Sequence, residues 1–302
     1  MPTRKRLIDE LLVGDEIEAI PDIAPLVEGV LDYDSTALMY GESGAGKTFG
    51  AIDLALCVAS GTPWHGRPVH GGTVLYVVGE GVTGMRSRYM AWKAHHGVVA
   101  VPRIIWAPRA CNILTDQGRA ELLEVVERHH PCLTVLDTIA RHIPGGDENT
   151  FQTMSVVVEC LDRIRVLTGG CALGVHHSGK DESAGARGHS SFKGAMDTEI
   201  NVTKGPRMIA TKCKNRADGH VIEDFELVAV GPSMVLEPKT RKETANDRLA
   251  IQALGVLGTA GHQEWKDFAG SLGMAAGSFA RCRKRLMDAG VVTVEDDHYS
   301  LA

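Results

Sequence analysis

Gly41-Glu42-Ser43-Gly44-Ala45-Gly46-Lys47-Thr48 fits the spacing G-x-x-x-x-G-K-[ST] at every fixed position. The run before it, residues 36–40, is short, mostly apolar and of strand length. Behind it, residues 49–59 hold Ile52, Leu54, Ala55, Leu56 and Val58, with no proline and no glycine after Gly50, which predicts a helix. Strand, glycine loop and helix are the setting in which this motif binds phosphate. Glycines let backbone N–H groups turn inward around phosphate oxygens, and a helix N-terminus adds a favourable dipole. Gly41, Glu42, Ser43, Gly44, Ala45, Gly46, Lys47 and Thr48 are therefore the expected cradle for ATP. Lys47 is expected to reach its β- and γ-phosphates, and the Thr48 hydroxyl to ligate Mg2+.

Working outward, residues 73–78 predict a second buried strand that ends in Gly79-Glu80-Gly81. A carboxylate at the end of a buried parallel strand lies on the ligand side of an α/β sheet; the plainer reading of Glu80 is a solvated turn residue. Residues 86–95 predict a helix, 103–106 a strand and 119–128 an amphipathic helix. Cys132-Leu133-Thr134-Val135-Leu136-Asp137 is an apolar run closing on an acid, ninety residues after Lys47. In an alternating α/β chain this is the pattern of the Mg2+-side aspartate of phosphate-loop ATPases, so Asp137 joins Thr48 as a metal candidate. Residues 151–168 predict a helix. Residues 171–177 predict another buried strand, tipped by His176 and His177. A zinc ligand and a core histidine are the alternatives to a γ-phosphate sensor there, and no partner cluster at ligand spacing favours zinc.

Residues 178–194 read as a long polar loop with Lys180, Arg187 and Lys193, either contacting nucleic acid or forming a surface insertion. Beyond it the pattern turns to antiparallel hairpins, with strands over 198–202 and 208–212, then Lys214-Asn215-Arg216, then a strand closing at Val230. Residues 237–244 read as a charged linker, which divides the chain into a large domain over 1–240 and a small one over 245–302. Three helical patterns (247–257, 264–272 and 275–289) and a hairpin over 291–301 make the small domain winged-helix-like. In its third helix Phe279, Cys282 and Leu286 share one face. Arg281, Lys284 and Arg285 lie off it, open to a phosphate backbone or to a protein partner.

Composition bounds the rest. The chain has 302 residues, 44% of them hydrophobic, enough for one large domain and a small one. A net charge of −6 argues against global attraction to nucleic acid, so any such site is local. The seven cysteines are scattered without a C-x-x-C pair, which argues against a disulfide framework and fits a reducing compartment. Nothing approaches the length of a membrane span and residues 1–20 lack a signal-peptide core, so a cytoplasmic protein without a membrane partner is expected. Leu7, Leu11 and Leu12 in the charged opening segment pack either on a neighbouring subunit or as an edge helix of the same chain.

Taken together, GESGAGKT, VLYVVGEG, LTVLDT, GVHHSGK, the ARGHSSFKGAMDTEI segment and KCKNR resemble, in that order, the RecA-like ATPases. The chain is most similar to the RepA-type plasmid replication helicases related to DnaB, over residues 21–230. The resemblance implies an α/β RecA-like core with a mainly parallel sheet. It further implies an ATP-hydrolysing motor, acting on single-stranded DNA as a homo-oligomeric ring, a hexamer. Under it Glu80 orients the attacking water and Asp137 serves Mg2+. His176 or His177 is the sensor, and Lys214 and Arg216 are offered to the neighbouring subunit's nucleotide. The loop around Arg187 becomes the DNA-binding segment of the central channel. Residues 246–302 fall outside the resemblance, which leaves a rival expectation: a RecA-like ATPase or regulator, not a helicase, whose tail binds DNA or protein. A small-molecule kinase would leave the Lys-x-Arg pair and the tail unexplained.

Overall fold

The computed structural model describes residue 8 and residues 11–179, 190–239, 244–288 and 291–301. Two compact units emerge, Met1–Glu237 and Pro238–Ala302.

In the first unit a short antiparallel pair, β1 (Pro25–Val27) and β2 (Leu31–Asp32), precedes β3 (Ser35–Gly41), buried along its whole length. Then follow α1 (Lys47–Ser60), β4 (Val74–Val78), α2 (Val82–His96), β5 (Ile104–Ala107), α3 (Asp116–His129) and β6 (Leu133–Asp137). The chain continues through α4 (Ile139–His142), α5 (Phe151–Thr168), β7 (Cys171–His177), α6 (Ser190–Ala195), β8 (Thr198–Thr203), β9 (Arg207–Cys213), β10 (His220–Val230) and β11 (Ser233–Pro238). The nine strands β3–β11 form one sheet in the order β11-β10-β9-β8-β3-β7-β6-β4-β5. From β8 to β5 the neighbours pair in parallel, so the C-terminal ends of six strands share one edge; β9 and β10 are antiparallel additions beyond β8.

Helices cover both faces, as a parallel sheet requires. Residues of α1 and α2 pack with Ala37, Met39, Tyr76 and Val175 on one face. Residues of α3, α4, α5 and α6 pack with Leu38, Leu75, Leu136 and Ala172 on the other. Sequence sets the helix ends. Thr115 and Thr150 accept hydrogen bonds from Gly118 N and Thr153 N, and Gly169, with φ 62°, closes α5.

Three sequence expectations need correcting. The helix expected over 86–95 begins four residues earlier, because Gly81, at φ 70°, turns the chain straight from Glu80 into α2. Part of the expected 178–194 loop is helical. Lys212 Nζ donates to the carbonyls of Lys193 (2.7 Å), Gly194 (3.0 Å) and Met196 (2.6 Å), satisfying the end of α6 from a strand remote in sequence. Finally, the expected linker is partly strand, since β11 runs to Pro238. In the opening segment Leu11 and Leu12 are exposed, and Leu7 lies outside the described residues.

The second unit holds α7 (Ala245–Leu257), β12 (Thr259–Gly261), α8 (His262–Ser271), α9 (Phe279–Asp288), β13 (Val292–Glu295) and β14 (His298–Leu301), with strand order β12-β14-β13. Its core gathers Leu254, Trp265, Phe279, Cys282, Leu286 and Tyr299. Among the described residues no helix is long and apolar enough to cross a membrane.

Candidate functional site: a phosphate cradle at the sheet edge

The loop between β3 and α1 turns where only glycine is comfortable. Gly44 and Gly46 have φ of 78° and 98°. At Gly41 the reason is crowding, since a Cβ would lie 2.0 Å from the Val202 carbonyl oxygen of β8. Lys47 is buried, and its Nζ donates to the carbonyls of Gly41 (2.9 Å) and Glu42 (2.7 Å). Burial pulls its ammonium below the ordinary value, against the opposing pull of Asp137, Glu80 and Glu42. A phosphate placed in the cradle would act with those carboxylates to keep it charged.

Two hard oxygen donors stand beside the lysine. Thr48 Oγ1 donates to Asp137 Oδ1 at 3.4 Å. Asp137 is buried at the end of β6, and burial raises its pKa while hydrogen bonds from Tyr76 and Thr48 oppose the rise. A desolvated carboxylate next to a hydroxyl suits Mg2+. Among the described residues no group of three His, Cys, Asp or Glu side chains is arranged to hold a metal ion; Thr48 and Asp137 would hold Mg2+ together with phosphate oxygens. Bound there, Mg2+ would supply charge neutralisation on those phosphates.

Glu80 follows β4 directly. Its Oε1 accepts from Thr138 Oγ1 at 3.3 Å, and its Oε2 from Arg141 Nε and Nη2, both at 3.3 Å. The two histidines separate because neighbouring strand residues face opposite ways. His176 is buried with its ring 5.9 Å from that of Phe192, edge to face. His177 Nδ1 stands 3.5 Å from Lys47 Nζ, so of the two it is His177 that borders the cradle. Glu42 pairs with Lys204 at 2.5 Å across a cavity of about 360 Å³, which Ser178, Asn201 and Thr203 also line.

Lys214 and Arg216 are elsewhere. Strand β9 runs antiparallel to β8 with Thr203 opposite Arg207 and Thr198 opposite Cys213, so the pair emerges at the sheet edge away from its own cradle. Lys214 Nζ is 2.7 Å from Asp197 Oδ1, and Arg216 Nη1 is 2.6 Å from Asp32 Oδ1.

The expected nucleic-acid residues divide. Lys180 and Arg187 lie outside the described residues. Lys193 is on α6, where its charge acts on the buried carboxyl of Glu199. Arg281 and Lys284 are exposed on α9. Arg285 is not simply open to a phosphate backbone. Its Nη2 is 2.6 Å from Oδ1 of the buried Asp247, a partner 38 residues away that helical spacing did not reveal.

Sequence reading missed three groups at the cradle. The Tyr76 hydroxyl donates to Asp137 Oδ2 at 2.6 Å, a contact signalled only by a tyrosine inside an apolar strand. Arg141 binds Glu80, as described above. Arg88, on α2, stacks over the Phe49 ring at 5.1 Å, and its charge acts on Asp137.

Curated protein sequences contain no match to the chain. Among solved structures, a KaiC-like protein from the hyperthermophilic archaeon Pyrococcus horikoshii is similar, with a TM-score of 0.50 and 14% identity over 72% of this chain and 98% of that one. At that identity the likeness shows the fold, a RecA-like α/β core. A family model for the AAA domain matches residues 2–183, more than half of the chain. With the cradle, the buried aspartate and the glutamate at one sheet edge, the chain belongs to the AAA domain family as a P-loop ATPase with a RecA-like core.

Proposed function

We propose that the protein hydrolyses ATP at the interfaces of a homo-oligomeric ring and uses the energy to move on single-stranded DNA, as a helicase of the RepA kind. The observation that supports this most is the placement of Lys214 and Arg216 at the sheet edge opposite their own phosphate loop. A cation pair there cannot serve the nucleotide of its own chain; it would serve a neighbour's by exchanging Asp197 and Asp32 for phosphate.

The chemistry is phosphoryl transfer to water. Lys47 holds the β- and γ-phosphates while Thr48 and Asp137 provide the oxygens for Mg2+. Glu80 orients the attacking water, and His177 lies where a γ-phosphate oxygen would meet it. Arg216 of the neighbouring copy neutralises charge that develops in the transition state, a contribution worth ~10³–10⁵ in rate. The test is turnover with and without single-stranded DNA over a range of salt. Stimulation that weakens as salt rises is expected. Turnover indifferent to DNA at every salt concentration would defeat the motor reading.

A second reading draws on the C-terminal unit. Its helix–strand–helix–helix–strand–strand order, with β14 central in the sheet, supports the winged-helix reading, and Arg281 and Lys284 are exposed on α9. On that reading the ATPase core regulates a tail that binds duplex DNA or protein. A gel shift separates the two readings: the motor prefers single strands, the regulator duplex or neither.

A further inference from the structure

The helix that carries Lys47 and the helix that begins beside Glu80 meet at one buried acid. Asp53, midway along α1, is 2% exposed. Its Oδ1 accepts from Trp92 Nε1 at 2.7 Å and lies 3.8 Å from His96 Nε2, both on α2. Its Oδ2 accepts from Trp64 Nε1 at 2.8 Å and lies 2.7 Å from His65 Nε2, in the segment after α1. The Trp92 and His96 rings stack at 4.2 Å. Burial alone would raise the carboxyl's pKa, but its polar contacts, led by the His65 and His96 imidazoles, more than reverse that and hold it below the usual range.

Leu54, Ala55 and Leu56 around it are apolar and fully buried, so an aliphatic side chain would fit the layer without desolvating a charge. What a carboxylate adds is direction. Hydrogen bonds weaken steeply with angle, whereas apolar contacts tolerate sliding. Trp92 and His96 are four residues apart, on one face of α2, so the hydrogen bond from Trp92, with the longer polar contact of His96 beside it, fixes the rotation of that helix about its axis. Glu80 sits two residues before α2, and Arg88 within it lies over Phe49, the residue after Thr48.

We propose that Asp53 is a positioning residue: it locks α2 against α1 so that Glu80 and Arg88 face the phosphate site built by Lys47 and Thr48. The inference rests on the reading of Glu80 as the water-orienting group. Four variants test it: Asp53→Asn, Trp92→Phe, Glu80→Gln and, as a stability control under the opposite sheet face, Leu161→Ala. For each, kcat, KM for ATP, the Kd of a non-hydrolysable ATP analogue and the Tm are measured, with turnover read well below every Tm.

Asp53→Asn is expected to lower kcat at least about tenfold, because a misplacement of about 1 Å can cost about 10²-fold and a smaller one correspondingly less, while the Kd stays within twofold. Trp92→Phe, which keeps the ring and the acid, should shift kcat in the same direction and decides the matter if Asp53→Asn does not fold. Leu161→Ala should lose Tm and keep kcat. An Asp53→Asn enzyme with kcat within twofold of the parent, beside an inactive Glu80→Gln, overturns the inference alone; so does an equal kcat loss in Leu161→Ala. Full turnover in Glu80→Gln overturns the reading of Glu80 instead.

Discussion

Tyr76 lies fully buried on β4, and its hydroxyl donates to Asp137 Oδ2 at 2.6 Å. That bond orients the carboxylate so that Oδ1 faces Thr48. Groups that orient a metal ligand carry about 10–100-fold in metal affinity or activity. Tyr76→Phe should therefore keep the fold and raise the Mg2+ concentration needed for nucleotide binding about tenfold, read by Mg2+ titration of a fluorescent ATP analogue. An unchanged titration would remove Tyr76 from the site. Lys47→Ala removes a charge-assisted contact worth about 1.5–3 kcal/mol, so ATP affinity should fall at least tenfold by calorimetric titration. At this scale the loop was legible because its glycines and lysine are adjacent in sequence, and Asp137 because it closes an apolar run. Tyr76, Arg88, Arg141 and Asp53 were not, since each acquires its partner only when separate strands and helices are brought together.

Among the elements, α7 and α9 are joined through Asp247. The side chain caps α7 with Thr244 and receives Arg285. Burial alone would raise its pKa, but hydrogen bonds from Arg285, Cys282 and Thr244 hold it well below the usual carboxylate range. A depressed folded-state pKa gives stability that is fully present above the unfolded value near 4 and lost as pH falls from there toward the folded one. The indole N–H resonance of Trp265, which donates to the Ala250 carbonyl, should thus report unfolding of this unit at lower temperature as pH drops below 4. Asp247→Asn should remove that dependence and cost about 2 kcal/mol at neutral pH, a figure reduced because Arg285 is half exposed. An unaltered acid profile would exclude the pair. Elements with strong local signals were readable: α5 occupies the expected residues, capped by Thr150 and closed by Gly169. Helix α6 and strand β11 were not. The first depends on Lys212 from β9, and the second joins the sheet beside β10 through a register that no local pattern displays.

For the whole molecule, the proposed ring turns on which copy serves which nucleotide. Arg216 is held by Asp32 in its own chain, so use across an interface requires exchanging that carboxylate for a phosphate. Arg216→Ala protein should bind ATP and fail to turn over, and Lys47→Ala protein should bind it weakly and fail to turn over. Mixed in equal amounts, they should recover about a quarter of the parent rate, because one interface in four joins an intact loop to an intact arginine. No recovery at any ratio would place the arginine outside the chemistry. The order of motifs implied a ring, but a single chain's pattern carries no interface, which is why this step alone calls for two proteins in one tube.

Strand β9 links the phosphate cradle to the Lys214–Arg216 edge. At its start Pro206 crowds Gly46, where an added Cβ would come within 3.0 Å of the proline ring. At its far end, about 23 Å away, the chain passes into Lys214 and Arg216. One strand thus runs from its own cradle to the edge proposed to serve a neighbour. In the proposed ring, a triphosphate that displaces Pro206 would be felt along this strand at the guanidinium offered to the next copy, so the filling of one cradle would bear on turnover at its neighbour.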